Sequence, residues 1–266
     1  MLRQWLSEPD VRNISLDSDQ RFNAHAAVLR RKRVLREVFK DFHRIFIDLD
    51  RRFFGAAPGL RIELGAGIAP VRDTDRAVLA TDVVHSAGMD RALDAMSMDL
   101  PDRSVRAFYA QNCFHHFPSP ARFFGEAQRV LVPGGGIIMI EPYFGPLASL
   151  IYPHLHRSEI FDPSMAGWEA PMTGPMGGAN QALSHIVFWR DREKFQREFP
   201  DLSVVYTDPL NNYVRYILSG GLNFRQLVPD WASLPLAVLE RALSPLRRWL
   251  AINHVIVIRR KDPFQN

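Results

Sequence analysis

The chain has a single cysteine, Cys113, in 266 residues, so no intrachain disulfide can staple it, and this usage suits a reducing, cytoplasmic setting. It has no unbroken apolar run long enough to span a bilayer. The most apolar stretch, 137–153, is interrupted by Glu141 and three prolines. The opening MLRQWLSEPDVRN has no apolar core of the kind a secretory signal carries, so no signal peptide is expected. There is no internal repeat and no low-complexity tract. Charge of one sign is also not in large excess: 33 Lys and Arg against 29 Asp and Glu leave +4. That balance permits anionic partners without specifying nucleic acid.

Ordinary globular material remains, 47% hydrophobic and 23% charged, enough for one core-bearing domain over 1–266. Apolar residues at three- and four-residue spacing predict a helix over 20–54. Its basic cluster, Arg30, Arg31, Lys32, Arg33 and Arg36, reads first as a solvated face. Strands are predicted at 60–64, 77–81, near 93–96, and at 106–110, 137–140, 202–206 and 253–258. A helix starting at Pro120 after Ser119 runs to 131. The link between the first two strands, VRDTDR, is too short and polar for a full helix. Strands alternating with helices predict a doubly wound, mostly parallel α/β sheet that binds its ligand at the strands' carboxyl ends. Segments 143–190 and 209–250 read as insertions, the first loop-rich and the second helical around 236–250.

Three ordered features carry chemistry. RIELGAGIAP is a strand ending in an acidic residue and a tight glycine turn. A dinucleotide fingerprint would place a third glycine where Pro70 stands, which argues against a nucleotide-dependent oxidoreductase. Asp82, ending the next strand, is placed to accept both hydroxyls of a ribose. The longest feature is FYAQNCFHHFPSPARFFGEAQRVLVPGGGIIMIEP, with His115-His116, a proline-started helix, Arg129-Val130-Leu131, Pro133-Gly134-Gly135 and an apolar strand.

From Leu60 to Pro142 this order resembles the class I S-adenosylmethionine-dependent methyltransferases of the type 11 group. The resemblance implies a Rossmann-like seven-stranded sheet, mostly parallel, with an antiparallel last strand, and S-adenosylmethionine as cofactor. It places Glu63 near the methionine ammonium, Gly65 and Gly67 where backbone approaches ligand, and Asp82 on the ribose with Val83 packing nearby. Met98 and Asp99 fall in the adenine region, and Gln111 and Asn112 beneath the sulfonium. The shortened link leaves fewer helix-terminus donors for the cofactor's carboxylate, a task Arg72 or the N-terminal helix could take.

His115 and His116 are the candidate bases for an acceptor that must lose a proton. Acceptor contacts are expected in 143–189, from Tyr143, His154, His156 and Trp168, with Tyr152, Phe161 and Trp189 as further aromatics of a lid. The acceptor class is a small molecule, a sugar or a lipid intermediate. A catalytically silent scaffold of the same fold is the alternative. No metal is expected: His154, His156, Glu159 and Asp162 do not form a recognised ligand spacing. No base-flipping motif is present. The basic amphipathic helices offer a peripheral membrane or homodimer contact.

Overall fold

A computed structural model describes residues 5–15, 18–84, 88–155, 159–170, 174 and 177–262. The predicted N-terminal helix is two. Ser18 caps α1 (Asp19–Arg31), its hydroxyl accepting the Arg21 N–H at 3.3 Å. Lys32 then turns extended, with φ −88° and ψ 95°, and α2 (Arg33–Phe54) follows. The reason is tertiary. Lys32 is buried, and its ammonium donates to the carbonyls of Gly221 (2.9 Å) and Phe224, beside Glu8 at 3.3 Å. Burial pushes its pKa down against the pull of Glu8. Arg31 pairs with Glu8 (2.6 Å) and Asp10 (2.8 Å). The basic cluster is therefore partly a clasp joining α1 to the C-terminal insertion.

The strands are β1 (Leu60–Leu64), β2 (Val78–Asp82), β3 (Arg91–Ala92), β4 (Val105–Gln111), β5 (Leu131–Pro142), β6 (Leu202–Pro209) and β7 (Asn253–Arg260). They form one sheet in the order β3-β2-β1-β4-β5-β7-β6. All pairs are parallel except those of β7, which runs antiparallel to both β5 and β6. This is the doubly wound, Rossmann-like sheet that the alternating pattern implies. Two strands depart from expectation: β3 pairs 91–92 with Thr81 and Asp82, slightly before the predicted position, and β5 begins at Leu131, earlier than 137. The chain builds outward from β1 through β2 to β3, then crosses back to β4, so the reversal of strand order falls between β1 and β4.

Both faces of the central strands are dry, because side chains alternate along each strand. Ala107, Tyr109, Ile138, Ile140, Val255 and Val257 face α2, meeting Val38, Phe42, Phe46, Leu49 and Phe54. Phe46 stacks on Tyr109 with centroids 5.3 Å apart. Their neighbours Phe108, Ala110, Ile137, Met139, Ile256 and Ile258 face α3 (Pro120–Val130) and α5 (Arg192–Glu198). Each such large side chain contributes about 1.5–3 kcal/mol by burial. A β-carbon at Gly136 would run into the Phe54 ring and the Ile258 carbonyl. Glycine there lets α2 and β7 close on β5.

The first insertion is more regular than its sequence suggests. It holds α4 (Pro146–Leu155), then a turn of helix at Leu183–His185 that widens into a π-turn at Ile186–Arg190. A parallel bridge ties Ile160 to Asn180: the Ile160 N–H donates to the Ala179 carbonyl and the Gln181 N–H to the Ile160 carbonyl, each at 2.9 Å. The second insertion holds α6 (Tyr213–Ser219) and α7 (Ser233–Ala242), then two short turns before β7.

Candidate functional site

The glycine turn after β1 lies beside Asp82 at the end of β2. Gly65 and Gly67 both take left-handed φ, +62° and +53°, which L side chains rarely adopt. The two glycines differ in surroundings. The position a Gly65 side chain would fill is held by the Cys113 side chain, whereas a Gly67 side chain would make only an ordinary contact with the Gly65 carbonyl at 3.8 Å among the described residues. The Gly67 N–H donates to the Asp82 carboxylate at 3.3 Å, and Thr81 Oγ1–H donates to the Glu63 carbonyl at 2.7 Å, holding β2 to β1.

Glu63 is buried, and its Oε2 accepts the Val71 N–H at 2.6 Å. Burial drives its pKa well up, the Val71 bond opposes this, and Asp73 and Asp82 add to it. The carboxylate thus anchors the short helical turn Val71–Asp73 that replaces the missing helix. Arg72, the candidate carboxylate holder, is paired with Asp90. Val83 is exposed.

Met98 is buried in the core. Its N–H donates to Glu126 at 2.7 Å and its carbonyl accepts from Arg129 at 2.8 Å. Its own peptide groups are thus engaged with α3. Asp99 is fully exposed and meets Arg91 at 3.5 Å. At the end of β4, Gln111 Oε1 is buried without a hydrogen-bond partner. Asn112 takes φ +47°, and its Oδ1 accepts from Asn253 at 2.9 Å, which directs it toward β7.

Cys113 sits where three acidic residues bear on one point. Burial and the charges of Asp82, Glu141 and Glu63 push its thiol well above its ordinary pKa. Asp82, Glu63 and Glu141 thus all lie near the Cys113 side chain, between the glycine turn and the end of β5.

The turn Phe114–His116 carries the histidine pair. His115 Nδ1 lies 2.5 Å from Glu141 Oε2, and Glu141 Oε1 accepts the N–H groups of Cys113 (2.9 Å) and Phe114 (2.8 Å). Glu141, wholly buried on β5, thereby fixes the turn and the ring together. The insertion adds Glu159, whose Oε2 accepts from Gln181 Nε2 at 2.6 Å. Burial alone would lower the pKa of His115. The charge and hydrogen bond of Glu141, joined by Glu159, outweigh it and raise the pKa to about 10. The pairing with Glu141 thus favours the protonated form of the His115 ring.

The acceptor residues separate. Tyr143 packs on His254 (5.4 Å between centroids). Tyr152 stacks on Phe161 and donates its hydroxyl to the Ile252 carbonyl at 2.7 Å. Trp189 stacks on His254 at 5.0 Å, and Phe144 on His185 at 4.1 Å. Trp168 is a correction. It is buried, its ring packs near Phe124 and Phe199, its indole N–H donates to Asp191, and Lys194 lies over it. A ring enclosed in that cluster cannot line an open acceptor pocket. His154 is exposed on α4, its Nδ1 bonded to the Leu150 carbonyl. His156 lies outside the described residues.

Sequence reasoning missed Glu141, Gln181, His254 and Asn253, and set Glu159 aside with His154, His156 and Asp162. Glu141 precedes a proline at the end of the strongest strand, a position that could have marked it. The others carry no local signal.

Residues 72–139 match the model of the methyltransferase domain family, a span that begins after the glycine turn and ends within β5. That stretch thus resembles the methyltransferase domains of the type 11 group, a family that uses S-adenosylmethionine. No curated protein matches the chain in sequence. Among solved structures it resembles geranyl diphosphate C-methyltransferase from Streptomyces coelicolor A3(2), at 13% identity over 82% of this chain and 74% of that one, with a TM-score of 0.48. It also resembles an S-adenosylmethionine dependent methyltransferase from Mesorhizobium loti (15% identity, 80% and 96% covered, TM-score 0.45). A third is phosphoethanolamine N-methyltransferase 2 of Haemonchus contortus (12% identity, 82% and 52% covered, TM-score 0.44).

Proposed function

We propose that the chain binds S-adenosylmethionine at the carboxyl ends of β1, β2 and β4 and transfers its methyl group to a small-molecule, sugar or lipid-intermediate acceptor. The observation that carries this reading is the lightly crowded, left-handed backbone at Gly67 bonded to the Asp82 carboxylate, with further acidic side chains near Cys113. That junction suits a ligand that is at once a ribose and a cation. The buried, unpartnered Gln111 Oε1 at the same strand edge offers one more acceptor for its polar groups. S-adenosylmethionine, when bound, supplies an already activated methyl group. What this chain's residues then do is bind, align and exclude water, holding an acceptor atom about 3 Å from the methyl carbon in line with its bond. Asp82 holds the ribose, Glu63 and the Val71–Asp73 turn shape the methionine end, and the aromatic layer of 143–189 covers the acceptor.

Calorimetric titration with S-adenosylmethionine and with its demethylated product tests the reading. Saturable binding of both, weakened by Asp82→Ala, is the expected result. No heat and no thermal shift with either would leave a silent scaffold; a shift with a nicotinamide dinucleotide instead would make it an oxidoreductase.

A lipid-borne acceptor is favoured by one surface. Trp231, Leu234, Val238, Leu246 and Trp249 are all about half exposed or more, with Trp231 and Leu234 at 74%. Exposed Arg241 and Arg248 flank them in the chain. Among the described residues no helix is long and apolar enough to cross a membrane. Apolar side chains with two tryptophans and a basic rim suit the interface of an anionic bilayer, met from the cytoplasmic side. Sedimentation with vesicles of phosphatidylcholine alone or with added phosphatidylglycerol tests this. Binding should need the anionic lipid and fall on Trp231→Ser with Trp249→Ser. Failure to bind, or a dimer in solution that the same substitutions dissociate, would overturn it.

A further inference from the structure

Two histidines and a carboxylate converge at the end of β4. His115 Nε2 lies 3.5 Å from Glu159 Oε2, and His116 Nε2 lies 3.8 Å from Glu159 Oε1. One ligand atom from each residue lies within 4.8 Å of the others. The two imidazoles are tilted by 40° with centroids 4.3 Å apart, so both can aim at a common point. The gaps are wide for direct N–H···O bonds, which run at about 2.7–3.2 Å. They are close to what a shared ion needs: ligands at about 2.0–2.1 Å from a tetrahedral centre stand roughly 3.4 Å apart.

The surroundings are built as a metal site's surroundings are. His115 Nδ1, the nitrogen turned away from Glu159, is held by Glu141 at 2.5 Å, which fixes the ring and raises the basicity of Nε2. Glu141 is itself locked by two backbone N–H groups. Glu159 is oriented by Gln181 at 2.6 Å, and the bridge between Ile160 and Asn180 fixes both backbones. His115 and Glu159 are almost wholly enclosed, with side chains 4% and 9% exposed.

We propose that His115, His116 and Glu159 bind a first-row divalent transition-metal ion, zinc-like in its ligand preference, through two imidazole nitrogens and one carboxylate. Magnesium and calcium are not favoured, since they take oxygen sets. The ion takes the place of the proton on His115 Nε2 and ties the first insertion to the end of β4. Three protein ligands leave a coordination position open. Resting on the methyl-transfer reading alone, that position would accept a hydroxyl or phosphate oxygen of the acceptor. The binding site itself does not depend on it.

The test uses the full chain, stripped with a chelator and titrated with cobalt(II), a spectroscopic substitute for zinc. The expected result is one ion per chain, with the visible absorption of a low-coordinate centre and competition by zinc. His116→Ala and Glu159→Gln should each weaken binding by more than tenfold, and Glu141→Gln by about 10–100-fold. His154→Ala, an exposed histidine in the same insertion, should leave binding unchanged. X-ray absorption on the zinc-loaded unmutated chain should show two imidazole ligands and needs no variant to fold. No cobalt spectrum in the unmutated chain would overturn the proposal. So would zinc with fewer than two imidazoles, or affinity indifferent to both His116→Ala and Glu159→Gln in folded variants. Loss of cofactor binding with metal binding intact would sink the methyl-transfer reading and leave this one standing.

Discussion

The two halves of the strand edge are built differently. The half between β1 and β2 comes from one short stretch: Glu63, Gly65, Gly67, the Val71–Asp73 turn and Asp82 all lie within twenty residues. It is half open, with little crowding at Gly67 and a partly exposed Asp82. The half between β4 and β5 is gathered from His115, Glu141, Glu159 and Gln181, and it is closed and heavily cross-bonded. The open half has room to take a ligand, whereas the closed half has polar groups already organised around one another. The first should therefore answer to substitution mainly in affinity, and the second in stability.

The largest effect that would break this contrast is at Glu141. Glu141→Ala leaves two N–H groups and a charged imidazole buried without their acceptor, a loss of about 3–5 kcal/mol. Chemical denaturation should show it, and a change below about 1 kcal/mol would mean the network carries little of the fold. Next is Asp82→Ala. It should weaken S-adenosylmethionine binding by roughly 10–150-fold, the equivalent of about 1.5–3 kcal/mol for hydrogen bonds to a charge, with an unchanged denaturation curve. Calorimetry checks the first part; unaltered affinity would remove Asp82 from the site. Third is Gly67→Ala, which forces a β-carbon into left-handed φ at about 1–2 kcal/mol. It should lower both the unfolding midpoint and ligand affinity, and an effect on stability alone would mean that ligand does not approach there.

A pH effect comes last because it is small near neutrality and grows only as the solution is acidified. His254 is buried, and burial, aided by His185, holds its pKa down at about 3. Unfolded, it titrates near 6.5. The unfolded chain therefore binds the extra proton first, so stability present above about pH 6.5 is lost progressively as pH falls toward 3. His254→Asn should flatten that part of the melting-temperature profile, and an identical slope would show that other groups set it.

Asp82 and the glycine turn were readable because strand, turn and acidic residue are contiguous, and backbone conformation there is a local matter. Reading the basic cluster of α1 and α2 as a solvated face failed at Lys32, where the partners Glu8, Gly221 and Phe224 lie far along the chain. Trp168 failed for the same reason: an aromatic in a loop can as readily enter the core as cover a pocket, and contacts with Phe124 and Phe199 decided it.

By itself, then, the sequence determined the alternating strands, the glycine turn and the acidic end of β2, because side-chain period and backbone sterics act over a few residues. Only the tertiary structure decided the order of the strands, that Glu159 meets His115 and His116, and that Glu141 holds the ring. Those follow from a sheet that sets chain ends side by side and a dry interior in which each polar group must find a partner, whatever its distance along the chain.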